Sequence, residues 1–346
     1  MKIIKFATCA LLTLITAATV AQQPHAIVFY NVENFFDTVD GPNRDEEYLP
    51  GSSIDWTQTK YDHKLSQVER VLFDIASYKR DFPVVIGLSE IENRTIMESI
   101  ASTPKLSGAR YEIVHYDSPD KRGVDVAFLY RPDIFKLEGS AAIHSAIKIE
   151  DNPGFKTRDL VTMWGTIEEQ PFFFVVMHWS SRWGGAEQSE FLRVASGTQT
   201  RAVVDSVKML RPDTRFVLMG DFNDDPVDKS MYECLGAKGD IKDMGEGDLF
   251  NPYYKMYKAG YGTLAYGDKW NIFDNIVVSR NLIDGAEKTL QLQPSLMNKK
   301  YYGNIHKAKY MIQQEGKFKG YPLRSFSGGA YIGGFSDHLP VFIYLD

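Results

Sequence analysis

Several strand-length apolar runs in this chain each stop at a residue that a hydrophobic core would reject. The plainest is "RFVLMGDFNDDP", residues 215–226: Phe216 to Met219 form a continuous apolar run, Gly220 breaks it, and Asp221, Asn223, Asp224 and Asp225 follow. "AIVFY" ends at Asn31 with Glu33 close behind, "VVIGLS" ends at Glu90, and "FFFVVM" ends at His178. Ser336, Asp337 and His338 stand just before the last run, "LPVFIYL". Short unbroken apolar runs bounded by turn formers suit strands buried on both faces. A fold for this chain must therefore cover its sheets on both sides and still release acids, amides and imidazoles at strand ends.

Each of these residues has an ordinary explanation when taken singly. A Glu at a strand end is usually solvated, an Asp-Phe-Asn sequence is usually a turn, and a His beside Trp179 is usually a packed one. Brought to one sheet edge, they make an acidic pocket with two imidazoles. Oxygen donors without cysteine favour a hard cation, Mg²⁺ or Mn²⁺, with Ca²⁺ inside the same chemistry. Such a cation keeps open positions for waters and a substrate phosphate. Phosphoester hydrolysis needs charge neutralisation on the phosphoryl oxygens, a positioned water and a stabilised leaving oxygen, and this residue set can supply all three. No G-x-S-x-G elbow or Walker A loop is present. "GYGTLAYG" matches no phosphate-cradling pattern and reads as a loop.

The amino terminus, "MKIIKFATCALLTLITAATVAQQ", has Lys2 and Lys5, an apolar run from Phe6 to about Val20, and small residues ending at Ala21. That pattern predicts a cleaved secretory signal over 1–21. The run is short for a membrane span, which needs roughly 20 residues. The protein is expected to be exported, periplasmic or secreted, with no stable membrane insertion and no evident obligate protein partner. Cys234 alone remains after the signal, which excludes an intramolecular disulfide and a cysteine-based zinc site. The formal net charge of −6 becomes −8 once Lys2 and Lys5 are removed, which argues against tight binding of nucleic acid by phosphate neutralisation alone.

The rest reads as one domain, 22–346, without internal repeats or linkers. A strand over Ala26 to Tyr30 breaks at Asn31. "GPNRDEEYLPGSSIDWT" reads as a surface loop, and Leu65, Val68, Val71, Leu72 and Ile75 recur at helical spacing up to about Tyr78. Val84 to Leu88 is a second buried strand. "YEIVHYDS" with "GVDVAFLYRP", and "DLVTMWGTIE" with "PFFFVVMHWSS", read as strand pairs; "SEFLRVASGTQTRAVVDSVKML" is a long helix, and "FDNIVVS" and "LPVFIYLD" are late strands. Strands outnumber helices, which predicts mixed sheets covered by helices.

"YNVENFFD", "GLSEIEN", "RGVDVAFLYRP", "MHWSSRWGG", "GDFNDDP", "FDNIVVS" and "FSDHLPV" occur in the order seen in the endonuclease/exonuclease/phosphatase superfamily, which includes pancreatic deoxyribonuclease. The chain resembles that superfamily from about Phe29 to its end. The resemblance implies a four-layer α/β sandwich, two mixed, mainly antiparallel sheets face to face with helices outside. It implies Asn31 and Glu90 at the metal with Asp337 and Glu33 nearby, and Asp221 and Asn223 aligning the nucleophilic water. It further implies His338, oriented by Asp274, on the phosphate or as general base, and His178 on the phosphate or leaving group. Arg122 and Arg182 are candidate phosphate binders, and Asp125 is the candidate partner of His178. Asp224 and Asp225 are expected to cap a turn or face solvent. The substrate stays open: nucleic acid, or a lipid, inositol or nucleotide phosphoester. Trp179, Trp183, Trp270 and "NPYYKMYKAGYG" would stack on bases, face a sugar or simply pack. A non-catalytic binding protein is the remaining reading.

Overall fold

The computed structural model describes residues 23–150, 152–286 and 288–346, so the expected signal lies outside the described residues. The strands are β1 (His25–Phe35), β2 (Val85–Ile91), β3 (Glu112–His115), β4 (Asp125–Tyr130), β5 (Phe135–Ile143) and β6 (Leu160–Ile167). They continue with β7 (Gln170–His178), β8 (Arg215–Asp221), β9 (Ala237–Lys238), β10 (Leu249–Phe250), β11 (Leu264–Tyr266) and β12 (Lys269–Asn271). The last are β13 (Asp274–Ser279), β14 (Asn304–Ile305), β15 (Phe326–Ser327), β16 (Ala330–Tyr331) and β17 (Val341–Leu345). The main helices are α1 (Gln58–Ser77), α2 (Arg94–Ala101) and α3 (Glu190–Leu210).

One sheet has the order β14-β17-β1-β2-β4-β3 and the other β5-β6-β7-β8-β13-β10-β9. Each is built round a parallel pair joined by a helix: β1 and β2 through α1, β7 and β8 through α3. The antiparallel neighbours of those pairs are β17 and β4 in one sheet, β6 and β13 in the other. The carboxyl ends of the parallel pairs and the amino ends of β4, β13 and β17 therefore come out on the same edge of their sheets. That placement delivers Asn31, Glu90, His178, Asp221, Asp274 and His338 together.

The unbroken apolar runs have a physical reason in the packing. In β7, Phe172, Phe174 and Val176 face the core between the sheets, while Phe173, Val175 and Met177 belong to the second core under α3. β8 divides likewise, Val217 and Met219 inward, Phe216 and Leu218 outward. Val68, Val71, Leu72 and Ile75 of α1 are buried to 1% exposure or less, each contributing roughly 1.5–3 kcal/mol. Helices thus lie outside both sheets, and the fold is the four-layer α/β sandwich.

Three local readings change. Gly220 does not break its strand, because β8 runs on to Asp221; a Cβ there would stand 2.2 Å from the Met177 carbonyl oxygen of the neighbouring strand. β1 does not stop at Tyr30 but continues to Phe35, with irregular pairing between Asn31 and Phe35. β5 and α2 had no sequence signal strong enough to predict them.

Candidate active site

Asp221 ends β8 in register with His178 of β7 on one side and Asp274 of β13 on the other. Its Oδ2 accepts a hydrogen bond from Asn31 Nδ2 (3.1 Å), which reaches across from the other sheet. The same oxygen lies 3.4 Å from His178 Nε2 and 3.8 Å from His338 Nε2. His338 Nδ1 lies 2.8 Å from Asp274 Oδ2, so the second carboxylate fixes the ring that faces the first. Glu90 closes the set, with Oε1 3.9 Å from His178 Nε2 and 3.2 Å from Arg122 Nη2. Its Oε2 accepts the Asn34 amide (2.9 Å).

Three of these positions sit on backbone that side chains rarely adopt. Glu90 has φ 61°, Asn34 φ 45° and Asn223 φ 51°. Glu90 also falls at a register shift between β2 and β4, where an extra residue re-aims the side chain. Left-handed backbone also occurs elsewhere in the chain, but at Glu90 and Asn223 it aims side chains of the cluster itself, as strained residues at functional sites do.

The electrostatics separate the two imidazoles. Burial, then Arg158, Arg122 and His338, holds His178 well below the usual histidine range, so it is neutral. Burial would lower His338 too, but Asp274 and Asp221 outweigh it and raise that ring well above the ordinary value, so it is the imidazolium. Burial, opposed by His338 and reinforced by Asp274, pushes Asp221 up to about 6. Burial would raise Glu90 as well, yet Arg122 first and then His338, the Asn34 amide and Arg158 hold it below the usual carboxylate range. The cluster thus pairs one neutral base with one cation, among carboxylates whose donors are hard oxygens. Asp221, Asp274 and His338 bring their ligand atoms within 4.8 Å of one another. A protonated His338 held by Asp274 is no ligand, so the donors left for a divalent cation are the neighbouring oxygens of Asp221, Glu90 and Asn31, a sulfur-free set that suits a hard ion.

Several expected residues stand elsewhere. Asp125 does not partner His178: its carboxylate is held by His115 Nε2 (3.0 Å) and the Ser118 amide (2.9 Å). Arg182 lies over Phe273 and is engaged by Asp224 (3.0 Å), Asp228 (2.6 Å) and the Asn223 carbonyl (2.9 Å), which commits it to the GDFNDDP loop. Asp224 and Asp225 are buried, not solvated; Arg193 meets Asp224 at 2.6 Å, and Asp225 accepts the Ile272 amide. Glu33 is held at the edge of the site, its carboxylate accepting the Ser325, Phe326 and Asp337 amides. Burial and Asp337, offset by Lys64, raise Glu33 to about 7. Asp337 itself pairs with Arg324 (2.6 Å) at the rim. Asn223 donates its amide to the Trp179 carbonyl (2.9 Å), on the His178 side of Asp221.

Arg158 is a site residue the sequence did not reveal. It donates to the carbonyls of His178 (2.9 Å) and Trp179 (2.8 Å) and to Asp120 (2.8 Å). Its signal, an Arg in the unpatterned "GFKTRD", cannot be told from a solvated one.

The chain matches the family model described as the Endonuclease/Exonuclease/phosphatase family over residues 26–346. It belongs to that family. The family's members are phosphoester hydrolases that use divalent metals, and the chain is an enzyme of that kind. No curated protein sequence matches it. Among solved structures it is similar to a humanized D. rerio TDP2 carrying 14 mutations (15% identity, 93% of this chain and 99% of that chain, TM-score 0.53). It is similar to the human Nocturnin catalytic domain with bound sulfate (15%, 93% and 94%, TM-score 0.52). A Bacteroides thetaiotaomicron mannosyl-6-phosphatase is comparably close (16%, 93% and 99%, TM-score 0.52). At such identities the likeness establishes the fold. Among the described residues no helix is long and apolar enough to cross a membrane.

Proposed function

We propose that this family member is an exported, Mg²⁺- or Mn²⁺-dependent endonuclease that cleaves nucleic-acid phosphodiester bonds by attack of water. The observation that carries hydrolysis is the single carboxylate oxygen of Asp221 faced by His178 Nε2 at 3.4 Å and His338 Nε2 at 3.8 Å. Glu90, with Asn31 and Asp337, would hold the ion, whose chemistry is neutralisation of charge on the phosphoryl group. Asp221 and Asn223 orient the attacking water, and Asp221 or neutral His178 takes its proton. The His338 imidazolium, fixed by Asp274, donates to a phosphoryl oxygen as negative charge builds there. As the water oxygen bonds to phosphorus the bond to the leaving oxygen breaks, and that oxygen takes back the proton accepted from the water, its charge being what the ion would neutralise. Arg122, beside Glu90, adds a second cationic donor. Export rests on the leader pattern over residues 1–21.

Nucleic acid is favoured by the surface beside Asp274. The hairpin of β11 and β12 runs directly into β13, and its Tyr266 is 83% exposed. Trp270 there carries Lys307 over its ring at 4.1 Å and meets Tyr321. Trp183, on the loop beyond His178, is 89% exposed. Aromatic faces interleaved with lysines stack bases and track phosphates. A phosphatase or phosphodiesterase of small or lipid phosphoesters is the second reading, favoured by the net charge of the mature chain, −6 less Lys2 and Lys5. Plasmid DNA, RNA, bis-p-nitrophenyl phosphate, inositol phosphates and phospholipid vesicles, assayed side by side, separate the two. Preference for a nucleic acid that is weakened in Trp270→Ala, with the small diester unaffected, supports the nuclease. Turnover of small or lipid esters alone rejects it.

A further inference from the structure

Beside the end of β2, the loop that follows β1 borders an acidic hollow of about 550 Å³, walled by Asp37, Asp40, Asn43, Glu92, Asp117 and Asp120. Acid alone does not make a site there; the arrangement of oxygens does. A methyl carbon placed on Gly41 would stand 2.7 Å from Asn43 Oδ1, 3.2 Å from Asp45 Oδ2 and 3.6 Å from Glu92 Oε1. Three oxygens from different side chains thus converge on one point beside a bare glycine.

Two buried acceptors in this group have no donor. Asp45 is 1% exposed, and its Oδ1 makes no hydrogen bond, although its Oδ2 accepts the Gly41 amide (2.8 Å). Asn43 Oδ1 is also buried and unpartnered. Its amide is not simply reversed, because Nδ2 donates to Glu92 Oε1 (3.2 Å) and the Gly123 carbonyl (3.3 Å). Buried acceptors left without a donor call for an explanation, and two on neighbouring side chains beside converging oxygens are explained by a bound ion. Lys156 is the basic residue on the wall, and it forms no ion pair with Asp45 or Glu92.

We propose that Asn43, Asp45 and Glu92 form a calcium site, separate from the catalytic cluster, that fastens the loop after β1 to the end of β2. The ligands are all oxygen and come from a loop and a strand end. That suits Ca²⁺, which takes 6–8 oxygens in flexible geometry, better than Mg²⁺, which demands a small octahedron. Glu92 lies two residues beyond Glu90, so an ion there also steadies the irregular backbone that presents Glu90.

The test is thermal unfolding of the mature chain, with and without Ca²⁺, for wild type, Gly41→Ala, Asp45→Asn and Glu90→Gln, with ⁴⁵Ca²⁺ equilibrium dialysis beside it. Gly41 has no left-handed backbone, so alanine there adds no backbone strain, and its methyl, 2.7 Å from Asn43 Oδ1, displaces that side chain from the ligand set. Saturating Ca²⁺ is expected to raise Tm by several degrees in wild type and Glu90→Gln, as ligand binding to the native state requires. In Gly41→Ala and Asp45→Asn the shift and one bound ⁴⁵Ca²⁺ are lost. If Asp45→Asn fails to fold, Gly41→Ala decides alone. A shift that survives in Gly41→Ala, disappears in Glu90→Gln, or is missing from wild type overturns the proposal.

Discussion

His178 and His338 face the same oxygen of Asp221 from 3.4 and 3.8 Å, yet burial leaves one neutral and Asp274 makes the other a cation. Removing the cationic ring removes a donor to charge that exists only in the transition state. His338→Ala is therefore expected to lower kcat by about 10²–10⁴-fold with little change in KM, measured on bis-p-nitrophenyl phosphate. Asp274→Asn makes a subtler change. The active imidazolium is lost as pH rises through its pKa, and Asp274 is what raises that pKa, so the variant's alkaline limb should move to lower pH. An unmoved limb would show that His338 works neutral. These residues were readable in the sequence because each interrupts or borders an apolar run. Arg158 was not, since its importance comes from carbonyls and an acid that only folding assembles. Asp125 misled for a related reason: chain proximity to β4 does not reveal that His115 claims it.

At the level of elements, the GDFNDDP loop is held by arginines, where Asp224 and Asp225 were expected to cap a turn or face solvent. Arg193 and Asp224 are both almost fully buried and meet at 2.6 Å, so Arg193→Met leaves the buried carboxylate with Arg182 (3.0 Å) as its remaining cation. Loss of about 3 kcal/mol, the low end for a broken buried pair, is expected in urea unfolding. Arg182→Ala should cost less, because its side chain is 24% exposed. Far from the site, His306 is buried between Tyr78 (3.0 Å) and Tyr310 (3.2 Å), and burial, against Asp74, lowers it to about 4. A histidine lowered in the folded state binds protons more readily when unfolded. Its stability contribution is whole above about pH 6.5 and falls as pH drops towards 4. Between pH 7 and 5 the wild type should lose about 2 kcal/mol more than His306→Gln; parallel curves for the two would contradict this. The long helices and apolar strands were legible from periodicity. β5, "FKLEGSAAI", was not, because it lies at a sheet edge, half exposed and without alternation.

Across the whole molecule, two sheets each place a parallel pair at the centre, and their carboxyl ends share one edge. The fold class was legible because unbroken apolar strands require cover on both faces, and because seven short motifs recur in the family's order. What the sequence left open was the surface around the site, where Trp270, Tyr321 and Lys307 meet from distant segments. If that surface holds nucleic acid, Lys307→Ala should raise KM for a polynucleotide by several-fold and flatten its dependence on salt, while the small diester is unaffected. On this reading the shared edge is one metal-dependent hydrolytic centre. The most direct measurement is the initial rate of bis-p-nitrophenyl phosphate hydrolysis by the purified mature protein in Mg²⁺ or Mn²⁺, then in excess chelator, beside His338→Ala. Turnover that chelator abolishes, added metal restores and the variant lacks is expected. Turnover indifferent to chelator, or equal in the variant, would contradict that reading.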